Sequence, residues 1–150
     1  MPNFLKIMML FSATGALTLQ ATAATAGWVY YGAINPITSS SSSWRCNSTV
    51  ALTNDRNVGA QVCTVRSADG TGVQGAIIVQ NRTSYLYNTN ASMVVYYNDG
   101  RIRGSWSCPS SGVRASSWSV CFGSTFAANR YTYSTKGYAD YKALGTTGYN

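Results

Sequence analysis

The sequence predicts an all-β domain: an antiparallel β-sandwich or small barrel of about seven or eight short strands, held by two disulfides. Three observations carry this. Beyond residue 26 the chain is rich in Ser, Thr, Asn, Gly and Tyr and lacks runs of strong helix formers. Short stretches of alternating apolar and polar residues recur between Asp-Gly turn signals. The cysteines number four, an even count, and none forms the close C-x-x-C pair that a zinc site needs.

The start of the chain sets the compartment. Met1–Lys6 is weakly basic, Ile7–Leu19 is apolar, and small residues run from Ala21 to Ala26. That order is the pattern of a removable signal peptide. As a helix, Ile7–Leu19 would span roughly 20 Å, short of the ~30 Å hydrocarbon core of a membrane. Residues 1–26 are therefore expected to be a leader, cut after Ala26 or, as second choice, after Ala23. The product is expected to be secreted and extracellular, with no transmembrane segment in the mature chain. Intracellular nucleic acid is not an expected partner. Residues 27–43 read as an N-terminal strand and a Ser-rich connection, forming one domain with a disulfide-stabilised β-domain over 44–150.

Within that domain an internal echo suggests the disulfide pairing. Ser43-Trp44-Arg45-Cys46-Asn47-Ser48 and Ser105-Trp106-Ser107-Cys108-Pro109-Ser110 share the pattern S-W-x-C-x-S, and each is followed by a Val-Cys pair. Cys46–Cys63 and Cys108–Cys121 are thus favoured over the other two connectivities. Closing each loop is worth ~3 kcal/mol in the chain-entropy model.

The strands follow in order. Trp28–Tyr31 reads as a short first strand, and Thr38–Ser43 as a loose, low-complexity connection. Trp44, Cys46, Ser48, Val50 and Leu52 alternate with polar neighbours. Gln61, Cys63 and Val65 are expected opposite Val73, Gly75 and Ile77 across the turn Ala68-Asp69-Gly70, with Gly70 left-handed. Met93–Trp106 reads as a hairpin about a two-residue Asp99-Gly100 turn. That register puts Met93, Val95, Tyr97, Ile102 and Trp106 on one face, with Val94, Tyr96, Arg101, Arg103 and Ser105 on the other. Residues 130–143 alternate as one long strand or as two folding at Lys136-Gly137. Gly145–Asn150 is expected to be frayed.

The composition bears on chemistry. The chain has no histidine and no glutamate, and its only side-chain carboxylates are Asp55, Asp69, Asp99 and Asp140. Conventional acid–base and nucleophilic catalysis needs a tuned imidazole, carboxylate or thiolate. Asp69 and Asp99 each precede glycine, where aspartate shapes turns. Ser134-Thr135-Lys136 lacks the S-x-x-K spacing of a Ser–Lys catalyst, and Asp69-Gly70-Thr71-Gly72 opens no helix that would cradle phosphate. No cofactor and no metal is expected, and the protein is read as a non-enzyme.

Contact is what remains. The formal net charge is +7, of which the leader carries Lys6. Arginine beside tyrosine can grip anions and stack on sugars. The candidate binding surface is Tyr96, Arg101 and Arg103 on the polar hairpin face, extended by Arg130, Lys136 and Tyr138. The expected function is that of a secreted, cationic binding protein. Its partner is expected to be an extracellular glycan, an anionic envelope polymer or a protein. Three alternatives stand beside this: an antimicrobial or cytotoxic protein, a structural coat or fibre component, and a protease inhibitor. The inhibitor would present Pro109–Arg114 as a loop, with Arg114 the contact residue. Asn47, Asn81 and Asn90 head N-x-[ST] sequons at about the number chance supplies.

Overall fold

The computed structural model describes residues 23–150. Residues 1–22, most of the expected leader, lie outside the described residues. The described chain forms β1 (Ala24–Thr25), β2 (Gly27–Gly32), β3 (Ser43–Cys46), β4 (Val50–Ala51), β5 (Val58–Arg66) and β6 (Gly72–Asn81). It continues with β7 (Tyr87–Tyr97), β8 (Ile102–Val113), β9 (Ser117–Phe122), β10 (Phe126–Ala127), β11 (Tyr133–Ala139) and β12 (Lys142–Thr146). These make two sheets, one ordered β1-β8-β7-β11-β12 and the other β2-β9-β6-β5-β3, with β4 added to β5 and β10 to β6. The all-β sandwich expectation holds, and the sheets do not close into a barrel. More strands are present than expected in part because β1, β4 and β10 are two-residue pairings too short to leave an alternation signal. The ladders are antiparallel apart from β1, which runs parallel to β8. Among the described residues no helix is long and apolar enough to cross a membrane.

Period-two patterning builds the core. Val58, Ala60 and Val62 of β5, Val73, Ile77 and Val79 of β6, and Ala91, Met93 and Val95 of β7 point between the sheets and are buried. Each Val, Ile or Met among them contributes roughly 1.5–3 kcal/mol by leaving water. The Cys108–Cys121 disulfide joins β8 to β9 and so ties one sheet to the other. Cys46–Cys63 links β3 to its neighbour β5 within one sheet. Both favoured pairings are present, and the described residues contain no free cysteine.

The seven-stranded sheet is also covered on its outer face. Cys63, Val65, Ala76, Ile78 and Val120 form a second cluster, packed by Tyr31, Ile37, Trp44, Trp118 and Phe122. Strands β2 and β3 lie at opposite edges of this sheet, so the segment between them crosses its face. The residues just before the connection expected to be loose, Thr38–Ser43, are pinned there. Ile37 inserts into the cluster, and Asn35 Oδ1 accepts from Ile37 N–H at 2.9 Å while Ser39 Oγ donates to Asn35 O at 2.8 Å.

The sides of the sandwich are closed by the chain ends. Residues 24–32 pair first with β8 in one sheet and then with β9 in the other. At the opposite side the last residues are ordered between the sheets, where fraying was expected. Thr64 Oγ1 shares hydrogen bonds with Thr135 Oγ1 at 2.7 Å and Thr147 Oγ1 at 2.8 Å, and Thr147 Oγ1 accepts from Thr135 N–H at 3.0 Å. Asn150 Nδ2 donates to Thr64 O at 2.9 Å, and Arg66 Nη2 donates to Asn150 O at 2.8 Å. Buried polar groups need such partners, and the tail supplies them.

Turn chemistry overrides three expected registers. Ser67 N–H donates to Gly72 O, enclosing four residues where three were expected, so Cys63 pairs with Ala76 and Val62 with Ile77. Gly70 is left-handed as expected, at φ 75°. At the next hairpin Gly100 N–H donates to Tyr97 O and Tyr97 N–H to Arg101 O, so the loop holds Asn98-Asp99-Gly100. The C-terminal alternation turns at Asp140-Tyr141, with Ala139 opposite Lys142, and passes straight through Lys136-Gly137.

Candidate functional site

The structure separates the six predicted binding residues into two groups. A three-residue loop shifts the hairpin register by one, and a bulge at Arg103 restores it, so that Tyr96 pairs with Ile102 and Val95 with Gly104. A one-residue slip exchanges faces. Arg101 and Arg103 therefore do not share a face with Tyr96, as the two-residue turn implied. Arg101 lies 4.7 Å from the Tyr97 ring, and Arg103 lies 4.3 Å from the Phe126 ring. Those rings belong to a row of Trp106, Phe126, Tyr133, Tyr97 and Tyr131 with centroids 5.0–6.4 Å apart. The two guanidiniums cap this row at one end of the sandwich. Arg101 also pairs with Asp99 at 2.7 Å, an exposed contact of small worth. Arg130 is exposed in the loop before Tyr131, beside the same row.

Tyr96, Lys136 and Tyr138 come together on the outer face of the five-stranded sheet. Ser134 pairs with Tyr96, Lys136 with Val94 and Tyr138 with Ser92. The inward neighbours Met93, Val95, Thr135 and Ala139 are buried, which leaves Ser92, Val94, Tyr96, Lys136 and Tyr138 half-exposed on the other face. Lys136 Nζ sits 5.8 Å from the Tyr138 ring.

At one end this surface deepens into a cavity of 470 Å³, lined by Asn90, Ser92, Ser107, Pro109, Ser110, Tyr138 and Tyr141 among others. A bulge makes the depression. Thr89 pairs with Ser111 and Ala91 with Cys108, which sets Asn90 against Pro109 and Ser110 together. Tyr141 projects at the rim with 86% of its surface exposed. It occupies a two-residue hairpin loop in which Asp140 has φ 47° and Tyr141 φ 61°. Both positive values are what a type I′ turn requires, and a left-handed tyrosine is energetically costly.

Two contacts hold that turn in place. Asp140 N–H donates to Asn90 O at 3.2 Å, and Tyr87 Oη donates to Asp140 Oδ2 at 2.5 Å. Burial, and then the bond to Asp140, push the Tyr87 hydroxyl well above its ordinary range. The Asp140 carboxylate is thus engaged with Tyr87, and among the described residues no charged side chain lines the cavity. Two tyrosine rings, small hydroxyls and one carboxamide give the lining both apolar and hydrogen-bonding groups.

The other aspartates shape turns. Asp69 accepts from Ser67 Oγ, Thr71 N–H and Thr71 Oγ1, which hold its carboxyl down at about 2. Asp55 and Asp99 are lowered in the same way, by Thr53 and Asn57 and by Arg101 respectively. Among the described residues no three Cys or Asp side chains gather as metal ligands. The Asn81 sequon is closed: its side chain is buried, and Nδ2 donates to Tyr85 O and Val113 O. Pro109–Val113 is strand, paired with β7, and Arg114 lies 4.8 Å from the Tyr30 ring, so this stretch is not the projecting loop an inhibitor would present.

Tyr141, Asn90, Ser92, Ser107 and Ser110 were missed by sequence reasoning. Asp140-Tyr141 carries none of the glycine that marks a type I′ turn, and bulge positions leave no periodic signal. No family model matches the chain, and no curated protein or solved structure matches it either.

Proposed function

We propose that this is an exported binding protein that holds a neutral saccharide in the groove between Tyr138 and Tyr141. The observation that carries the reading is Tyr141, a large aromatic side chain held out in solvent on a left-handed backbone beside a cavity that also offers Asn and Ser side chains. Strained residues that project from a well-braced turn concentrate at binding sites. A sugar ring offers apolar C–H faces to aromatic rings and hydroxyls to Ser and Asn, and the lining has both kinds of group. Lys136 flanks Tyr138, and Tyr96 extends the same face, so a chain longer than one sugar has surface to follow.

Export is supported by the order of residues 1–26 and by the two disulfides, which persist in oxidising compartments. Ala24 and Thr25 pair with Trp106 and Ser107, which favours cleavage after Ala23 over Ala26, since the later cut would remove β1.

An array of oligosaccharides followed by calorimetry on the hits tests the function. Tyr141→Ala and Tyr138→Ala should each weaken a hit by about 5–30-fold, as expected for loss of ~1–2 kcal/mol of aromatic contact. Absence of any saccharide hit, or a hit indifferent to both substitutions, refutes the reading.

A further inference from the structure

We propose a second, separate site on the opposite sheet: a pocket for a phosphate or sulfate ester, gripped by Arg56 and Arg82. Neither arginine is part of the saccharide groove, and neither belongs to the aromatic end of the sandwich. They line one cavity of 370 Å³ together with Thr49, Ala51 and Gly59.

The local fold brings them there. Arg56 sits in the turn between β4 and β5, and Arg82 follows the end of β6, whose Asn81 pairs with Val58 at the start of β5. Arg82 N–H donates to Asn57 O at 2.8 Å, tying the two segments together. At the floor, a Cβ on Gly59 would lie 2.6 Å from Thr49 Cγ2, so glycine is what lets Thr49 seat against β5.

Charge is the reason to expect a ligand. The carboxylate next in sequence to Arg56 is Asp55, but its oxygens accept from Thr53 Oγ1, Asn57 N–H and Asn57 Nδ2. Among the described residues the one ion pair is Arg101–Asp99, far along the chain. Arg82 Nη2 donates to Gln80 Oε1 at 2.8 Å, which neutralises nothing. Two guanidiniums therefore share one cavity with no paired anion. Arg56 is also left-handed, at φ 62°, a conformation that disfavours arginine and would suit glycine. The turn keeps an arginine where its backbone would be better served without one.

Planar guanidinium forks lining one cavity suit an oxyanion whose oxygens point in several directions, as those of phosphate and sulfate do. A second cavity offers room for the group that carries the anion. Arg82 is a common wall with an adjoining space of 310 Å³ that Gln80, Ser116, Ser117 and half-buried Trp118 also line. An oxyanion between Arg56 and Arg82 would have its carrier beside Trp118, where an aromatic ring and small polar groups again suit a sugar.

The test uses the full secreted protein at constant ionic strength set with chloride. Inorganic phosphate, inorganic sulfate, glucose 6-phosphate, glucose 6-sulfate and acetate are titrated, with arginine Nε–Hε resonances and thermal midpoint as readouts. Saturable shifts are expected with the tetrahedral anions, at least tenfold weaker with acetate. Arg56→Gly and Arg82→Gln should each weaken them at least tenfold. Arg56→Gly relieves the backbone, so its thermal midpoint without ligand should not fall, and loss of binding cannot then be misfolding. The preferred ester, sulfate or phosphate, names the source. Trp118→Ala should reduce the ester to the affinity of its inorganic ion. Shifts that follow ionic strength alone, or that survive both arginine substitutions, overturn the site. Esters no tighter than the free ions overturn the carrier. Tyr141→Ala should leave all these titrations unchanged, so the two sites fail or stand separately.

Discussion

Replacing Tyr141 with glycine should make the protein more stable and less able to bind. The residue is at φ 61° in a two-residue turn, and its side chain is 86% exposed. A left-handed conformation costs a non-glycine residue roughly 1–2 kcal/mol. Glycine removes that cost but adds roughly 0.5–1 kcal/mol of chain entropy to the unfolded state. Little burial is lost with so exposed a ring, so the net expectation is a gain of up to about 1.5 kcal/mol. Asp-Gly is also the pair this turn prefers. For a domain of this size, ~1 kcal/mol moves the thermal midpoint by roughly 3–5 °C. Urea denaturation with intact disulfides, followed by far-UV dichroism and tryptophan fluorescence, measures the change directly. The same variant should bind a groove saccharide about 5–30-fold more weakly. A loss of stability above ~0.5 kcal/mol would mean that the ring packs rather than projects, outside what backbone relief allows. Unchanged affinity would remove Tyr141 from the site.

Three further outcomes are expected. Thr147→Val strands the Thr135 N–H and one partner of Thr64 in the core, which should cost roughly 2–3 kcal/mol and lower the urea midpoint at constant slope; a neutral result would mean that the tail is not bound between the sheets. The Asp69 carboxyl, held at about 2 against an ordinary 3.8, contributes stability that is complete above pH ~4 and is lost as the pH falls toward 2. Asp55 and Asp99 act in the same direction, so Asp69→Asn should flatten the acid limb of the stability profile only in part. If the leader is removed as proposed, intact mass of the mature product should place its first residue at Ala24, whereas a start at Gly27 would show that β1 is dispensable.

How far the sequence could be read depended on which interactions leave a periodic trace. Met93 opposite Trp106 and Val95 opposite Gly104 were legible because strand alternation reports burial directly. The disulfide pairing was legible in the repeated S-W-x-C-x-S pattern. Turns were less so. The loop at Asn98-Asp99-Gly100 and the bulge at Arg103 are compensating one-residue changes, invisible to a search for Asp-Gly, and they moved Arg101 and Arg103 away from Tyr96. The tail looked frayed because Thr147 and Asn150 are polar. Their burial depends on Thr64 and Thr135, distant in sequence, and no local pattern reports such a pairing. Of the predicted surface, Tyr96, Lys136 and Tyr138 stay together because β7 and β11 pair without interruption. Tyr141 and Asn90 join them only through a turn and a bulge.

Amide shift mapping of ¹⁵N-labelled protein during titration with an oligosaccharide array hit is the most direct measurement of where the ligand sits. Saturable changes should concentrate at Asn90, Ser92, Ser107, Ser110, Tyr138 and Tyr141, with Lys136 at the margin and the outer face of the seven-stranded sheet silent. Shifts centred instead on Arg101, Arg103 and the Tyr97–Tyr131 row, or spread without a centre, would contradict a saccharide groove at this turn.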